Sequence, residues 1–159
     1  MSCRTVPNRF KLGFMKFNEN VAWLWKNYRA PILWAAVLFI QSSIPDFDPP
    51  MRLTDWDDKW AHLLIYMPLG FLLMRALAQT QTGTSTTLLF LLAIGIGALY
   101  GIFDEVHQHF VPGRHMDWRD AVADGFGVVL GSWLYLKVRQ RLALRTAKIP
   151  EPLKEISHG

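Results

Sequence analysis

The residues best suited to chemistry in this 159-residue chain crowd into one stretch between two long apolar runs. Positions 104–124 read DEVHQHFVPGRHMDWRDAVAD and bring eleven charged, imidazole or amide side chains into 21 positions: Asp104, Glu105, His107, Gln108, His109, Arg114, His115, Asp117, Arg119, Asp120 and Asp124. Carboxylates and imidazoles can transfer protons, and an Arg can pair bidentately with a carboxylate or a phosphate. Part of this stretch must lie at or inside a membrane, where polar groups are costly and usually functional.

Three residues are candidates for catalysis. Glu105 could act as a general base, and Asp120 could do the same. His62 could serve as a proton shuttle or as a metal ligand. A structural role competes with each catalytic one, because charges inside membranes usually pair. Glu105 could form an ion pair with Arg114 or Lys59. His62 could be a hydrogen-bonded helix histidine, and Asp120 could cap a helix.

Six further residues are candidates for binding: Asp58, Lys59, Gln108, Arg114, Asp124 and Ser43. Arg114 and Lys59 are suited to an anionic headgroup, with the acids tuning them. The Pro112–Gly113 bend would allow Arg114 to fold back over the carboxylates. Asp124 could share a proton with Asp120, or it could bond to Gln108 or His62.

The spacing of these residues places them in pairs on helix faces. Asp58 and His62 are four residues apart, as are Asp120 and Asp124, and residues at this spacing share one face of a helix. Glu105 and Gln108, three apart, do the same. Each helix can therefore present a polar pair to the interior of a bundle.

A metal cluster is superficially suggested by His107, His109, His115, Glu105 and Asp117. However, the two-residue step from His107 to His109 puts them on different faces of a helix, and no HExxH or comparable motif is present. We therefore expect no metal and no cofactor.

Four apolar segments predict the helices that position these residues: 31–44, 60–78, 88–103 and 120–138. The first is short for a membrane span of about 20 residues and approaches that length only with residues 27–30 and 45. An interfacial turn is expected at 20–28, followed by Pro31 in the first turn of the first helix. The beginning of the polar stretch 104–119 is expected to extend the third helix.

Two GxxxG pairs lie in the third and fourth segments, at Gly97 and Gly101 and at Gly127 and Gly131. Glycines at this spacing allow two helix backbones to approach closely in lipid. They favour a tight hairpin of the third and fourth helices, although glycine is also common in membrane helices by composition alone.

Composition and charge distribution indicate a membrane protein of defined orientation. The chain is 51% hydrophobic and contains seven Trp, a residue that favours membrane–water interfaces. Residues 1–29 hold six basic residues and one acid, residues 137–159 hold six basic residues and two acids, and ten acids lie between. Basic ends that flank apolar segments argue for a membrane orientation signal and against nucleic-acid binding.

These patterns predict an all-α polytopic membrane bundle of four transmembrane helices with both termini in the cytoplasm. The polar loops 46–59 and 104–119 would then face outward, and all four helices would deliver polar groups to the same leaflet. We divide the chain into a basic cytoplasmic or interfacial segment (1–29), a transmembrane domain (30–138) and a basic cytoplasmic tail (139–159).

Several short motifs are specific when their order and spacing are taken together: Ser42-Ser43-x-Pro45, Asp58-Lys59-x-x-His62 with Tyr66, Asp104-Glu105-x-x-Gln108, Phe110-Val111-Pro112-Gly113-Arg114 and Asp120-x-x-x-Asp124-x-x-Gly127-x-x-x-Gly131. In these motifs the chain resembles the VanZ-like family of small bacterial membrane proteins, over residues 30–138. It departs from the family at Asp124, where an Asn is usual. The resemblance implies a multi-pass protein of the bacterial cytoplasmic (inner) membrane. The family's namesake is linked to low-level resistance to the glycopeptide teicoplanin, and no reaction is implied.

Two function classes follow. The first is a binding protein that engages a membrane lipid or a lipid-linked cell-envelope precursor, with a glycopeptide-resistance-like role. The second is a membrane-embedded hydrolase or transferase that acts on a phosphate-bearing lipid. A transporter is less favoured because no inverted repeat is visible, and a homo-oligomer remains open.

Overall fold

The computed structural model describes residues 9–45 and 57–147, with side chains from residue 19 onward, and these residues form four helices. They are α1 (Arg9–Ser42), α2 (Asp57–Thr80), α3 (Thr86–Gln108) and α4 (Trp118–Ala147), and the described ranges contain no strand. The predicted all-α class is therefore confirmed. In the described ranges, α2, α3 and α4 are long and apolar enough to cross a membrane.

The predicted division of the first helix into an interfacial turn and a span is wrong. α1 is one continuous helix of 34 residues, and Pro31 lies inside it rather than in its first turn. Pro68 likewise lies inside α2. A proline removes one backbone hydrogen bond, but neighbouring helices and local adjustment allow membrane helices to contain it.

The other helices are longer than their apolar cores predict. α3 continues to Gln108, as expected, whereas α4 runs from Trp118 to Ala147 instead of ending at 138. Residues 139–147, assigned to the cytoplasmic tail, are thus helical, and all of them are exposed. Arg, Gln, Leu and Ala dominate this segment. Because they are strong helix formers, the helix continues beyond the end of its apolar face. Asp55, whose side chain could cap the helix that follows it in sequence, lies outside the described residues.

The two glycine pairs lie in two different helix–helix interfaces. A Cβ added at Gly127 or Gly131 would meet the carbonyl oxygens of Leu63 and Met67 on α2. A Cβ at Gly97 would meet the Val128 side chain on α4, at 2.6 Å. The α3 glycines therefore pack on α4 as the hairpin predicts, while the α4 glycines pack on α2. α4 thus packs against both α2 and α3, which also contact each other, and its contact with α2 is the most extensive.

α1 lies along the outside of α2 and α3. The Tyr28 hydroxyl lies 2.8 Å from Thr80 Oγ1, and Trp34 Nε1 donates to the Ile65 carbonyl at 2.9 Å. The Tyr100 hydroxyl donates to the Ala35 carbonyl at 2.5 Å. These bonds hold the second half of α1 parallel to the bundle, so that Tyr28 and Ser42 lie near opposite ends of it.

The core is apolar in its middle and polar at one end. Tyr66, Met74 and Val128 are fully buried, and Leu38 of α1 closes over the same cluster. Large apolar side chains also cover the outside, where Leu99 is 69% exposed. Such an apolar exterior is expected where lipid replaces water.

Candidate functional site

The start of α2, the end of α3 and the start of α4 meet at one end of the bundle. Six polar or charged side chains from these three helices are buried there: His62, Asp104, Glu105, Gln108, Asp120 and Asp124. We call these six residues, with Lys59, Asp117 and Arg114 at their edge, the polar cluster. Residues from 59 to 124 therefore come together because three helix ends converge, although they are distant along the chain.

The innermost pair of the polar cluster is His62 and Asp124. His62 Nδ1 lies 3.0 Å from Asp124 Oδ1, and Asp124 is fully buried. Of the alternatives left open for Asp124, the structure shows the bond to His62. The second oxygen, Oδ2, is buried and has no hydrogen-bond partner within residues 9–45 and 57–147.

Lys59 is held by two carboxylates. Its Nζ lies 2.7 Å from Asp120 Oδ1 and 2.8 Å from Asp117 Oδ2. The prediction that Asp120 caps α4 is wrong, because Asp117 does so: its Oδ1 accepts the Arg119 N–H at 2.9 Å. The hydrogen bond from Lys59 holds the pKa of the Asp117 carboxyl below its ordinary value of 3.8.

Glu105 accepts hydrogen bonds from neutral donors. It is 1% exposed. Its Oε2 accepts the backbone N–H of Asp117 at 3.0 Å, and its Oε1 accepts from Gln108 Nε2 at 3.3 Å. No ion pair joins Glu105 to Arg114 or Lys59 in the described part of the chain. The predicted ion pair of Glu105 with one of these two residues is therefore wrong.

Arg114 is linked to the buried acids of the polar cluster through the Gln108 amide. Its Nη2 donates to Gln108 Oε1 at 3.0 Å, and Gln108 Nε2 in turn lies 3.4 Å from Asp104 Oδ2. The positive φ of 75° at Gly113 makes the bend that returns the chain to this position. The predicted fold-back therefore occurs, with Gln108 between Arg114 and the acids.

Ser43 lies at the same end of the bundle but outside the polar cluster. Its Oγ lies 2.9 Å from His107 Nε2 and donates to the Phe39 carbonyl at 2.6 Å. The His107 ring stacks on Phe39 with centroids 4.4 Å apart. Ser43 and His107 thus fasten α1 to α3 and do not contact the acids. His109 and His115 are exposed, as expected of loop residues.

Two members of the polar cluster were not among the candidate residues. Asp104 is 3% exposed and could have been found from its position one turn before Gln108. Asp117 lies in the predicted loop 104–119. Its part in the cluster depends on its backbone N–H and on a partner 58 positions away, Lys59, so the sequence carries no signal for it.

The polar cluster contains two groups of three residues with the geometry of metal ligands. His62, Glu105 and Asp124 offer ligand atoms that all lie within 4.8 Å of one another, and so do Asp58, His62 and Asp120. His107, at the end of α3, and the exposed His109 and His115 belong to neither group. The cluster can thus hold protons, a cation, or both.

Comparison with known proteins gives one result. No curated protein and no solved structure matches the chain. The VanZ/LLP1 family model matches residues 8–140, well over half of the sequence and all of the polar cluster. The chain therefore belongs to the VanZ/LLP1 family.

Proposed function

We propose that the polar cluster binds the phosphate-bearing headgroup of a membrane lipid or of a lipid-linked cell-envelope precursor. The observation that carries this proposal is the position of Arg114, half-buried over the cluster and oriented by Gln108 at 3.0 Å. A guanidinium has five donors in a planar fork that fits phosphate oxygens, and the bond to Gln108 orients Arg114 at the edge of the cluster. Binding of an envelope precursor would also account for a glycopeptide-resistance-like role.

The depth of the polar cluster supports a lipid ligand. The cluster begins where the apolar run of α3 ends, and Trp60 and Trp118 lie exposed at the same end. Trp at this position is typical of the membrane–water interface, where headgroups reside. Lys59, also a candidate for the headgroup, is already paired with two carboxylates and contributes less.

The orientation belongs to this proposal. We infer four spans in the bacterial inner membrane, with both termini in the cytoplasm and the polar cluster facing outward. α1 supports a fourth span because its bonds to Thr80 and His107 lie at opposite ends of the bundle. The distance between those contacts, 15 residues, is roughly 22 Å of helix, most of a hydrocarbon core of about 30 Å. Residues 1–29 and 139–159 would be its basic cytoplasmic segments.

The headgroup proposal is tested by native mass spectrometry of the purified protein with its co-purified lipid. Arg114→Ala should release the lipid, and Arg114→Lys should retain less than wild type because Lys lacks the planar fork. Arg119→Ala is the matched control, since Arg119 is exposed, packs over the Trp118 ring at 5.9 Å and lies outside the cluster. Full lipid retention by Arg114→Ala would reject the proposal.

A membrane hydrolase or transferase is the second candidate, favoured by the buried His62–Asp124 hydrogen bond beside Glu105. In this alternative Glu105 acts as base and His62 as its acid–base partner. Asp120 is the weaker base because its carboxylate is paired with Lys59.

Headgroup release separates the two candidates. If the chain is an enzyme, the wild type should release phosphate or headgroup from a supplied phospholipid, and Glu105→Gln should lose release while retaining lipid. Retained lipid without release by the wild type would favour binding alone.

A further inference from the structure

We propose that His62, Glu105 and Asp124 form a binding site for one divalent transition-metal ion of the Zn²⁺ class, between α2, α3 and α4. This inference goes beyond headgroup binding and does not depend on it. It also differs from the expectation of no metal, which considered the histidines of the predicted loop and His62 with Asp58, but not His62 together with Glu105 and Asp124.

The three side chains come from three helices and already have nearly the required separation. All three ligand atoms lie within 4.8 Å of one another, and His62 Nδ1 is 3.0 Å from Asp124 Oδ1. Ligand atoms bound about 2.0–2.2 Å from a Zn²⁺ ion lie roughly 3.0–3.5 Å apart. The His62–Asp124 pair therefore has this separation already, and Glu105 needs to move by no more than about 1–2 Å.

A buried oxygen points to a missing partner. Asp124 Oδ2 is buried and has no hydrogen-bond partner in the described part of the chain, although buried carboxylate oxygens are nearly always satisfied. It lies 3.0 Å from the place that a Cβ on Gly101 would take, so it faces α3 one turn before Glu105. A cation between Asp124 and Glu105 would satisfy this oxygen.

The number of buried carboxylates in the cluster also favours binding of a cation. Four carboxylates are buried at this end: Asp104, Glu105, Asp120 and Asp124. Lys59 compensates Asp120, whereas Asp124 pairs with His62 and Glu105 accepts from the neutral Gln108 amide and a backbone N–H. A buried charge without a compensating charge is strongly destabilising. A divalent ion at the triad would compensate Glu105 and Asp124 together.

The same charges distinguish this triad from the group of Asp58, His62 and Asp120. Asp120 is 2.7 Å from the Lys59 ammonium, which would repel a second cation. The donors of the triad, one imidazole nitrogen and two carboxylates, suit Zn²⁺ or Mn²⁺ better than Mg²⁺ or Ca²⁺, which prefer oxygen throughout. The Asp117 N–H and the Gln108 amide would orient Glu105 as outer-shell partners.

The test is metal binding by the full-length protein, purified in detergent and stripped with a chelator. Zn²⁺ titration with elemental analysis should give one equivalent per chain. Glu105→Gln and Asp124→Asn should each weaken binding by more than about tenfold, because loss of even an outer-shell partner costs 10–100-fold. His109→Gln, which removes an exposed loop histidine, is the matched control and should bind as wild type does.

Four results would overturn the proposal: no stoichiometric Zn²⁺ on the wild type, unchanged affinity in Glu105→Gln, equal loss in His109→Gln, or loss in Asp58→Asn with retention in Glu105→Gln. Should a variant fail to fold, X-ray absorption of the wild type loaded with Zn²⁺ decides. It should show one imidazole nitrogen among oxygen ligands, and a spectrum without imidazole scattering would reject the site.

Discussion

At the scale of single residues, Lys59 organises the edge of the polar cluster. It carries one positive charge and bonds two carboxylates, Asp117 at 2.8 Å and Asp120 at 2.7 Å. One of these carboxylates is buried and the other is partly exposed. The ammonium therefore compensates a buried acid and also holds the residue that caps α4. Because Lys59 is engaged by carboxylates of the cluster itself, it is a weak candidate for binding an external anion.

The Lys59–Asp117 pair makes stability depend on acid pH in a defined direction. Because Lys59 lowers the pKa of the folded Asp117 carboxyl below 3.8, the stabilisation is complete above that pH and is lost as pH falls through the lowered value. The Tm difference between wild type and Asp117→Asn should therefore be constant from pH 7 to about 5 and should shrink below about 4. The pair is partly exposed, so the difference corresponds to no more than about 1 kcal/mol.

Thermal unfolding in detergent, followed by circular dichroism at each pH, measures this difference. In a Lys59→Met background the same Asp117→Asn change should have a smaller effect with the same direction, because only Arg119 then favours the Asp117 carboxylate. A difference that already vanishes between pH 7 and 5 would contradict the prediction.

At the scale of elements, α2 and α4 form the tightest contact in the bundle. Gly127 and Gly131 of α4 lie against backbone carbonyls of α2, and Gly70 of α2 lies against the backbone of Val128. Ser132 Oγ adds a hydrogen bond to the Gly70 carbonyl at 3.1 Å. Both helices thus contribute small residues to this interface. Their backbones can therefore approach closely enough to hold His62 beside Asp124.

Gly131→Ala should destabilise the bundle, because the new Cβ would overlap the Met67 carbonyl oxygen, which is backbone and cannot rotate away. We expect a loss of about 1–3 kcal/mol, the usual cost of overpacking. Gly125→Ala on the same helix is the matched control. Nothing lies within 4 Å of its added Cβ, so it should be neutral or gain up to about 1 kcal/mol of helix propensity.

Thermal unfolding in a single detergent distinguishes the two variants. Equal Tm values for Gly131→Ala and Gly125→Ala would argue against a close α2–α4 contact at Met67.

At the scale of the whole molecule, the two ends of the bundle differ in charge. The polar cluster occupies one end, and at the other end α4 extends into an exposed helix that carries Arg139, Arg141 and Arg145. Positive charge collects on the cytoplasmic side of membrane proteins. This asymmetry supports an outward-facing polar cluster.

Reporter fusions test this orientation. Fusions at Gly83, in the turn between α2 and α3, and at the C-terminus should both report the cytoplasm. A fusion at Gly113, in the loop beside the polar cluster, should report the outside and serves as the internal comparison. An outside signal at Gly83 or at the C-terminus would contradict four spans with both termini inside.

Much of the architecture was predictable because it depends on local composition. Apolar runs longer than about 15 residues can only be buried or face lipid, and a helix satisfies its own backbone there. The order of the runs also predicts that Asp58, Glu105 and Asp120 begin or end helices on the same side. The start of α1 and the end of α4 were not predictable in this way, because both helices extend beyond their apolar segments into residues of good helix propensity.

The partners within the polar cluster were decided only by the tertiary structure. Helical spacing places Asp124 on an inward face, but the rotation of α4 against α2 determines that it bonds His62 at 3.0 Å rather than Gln108. The same packing decides that the α4 glycines face α2 and that Lys59 reaches Asp117 across the loop. The sequence by itself thus determined which helices form and which polar residues gather at one end. The tertiary packing decided which atoms of these residues meet, because the close contact of helix backbones depends on segments that are distant in the sequence.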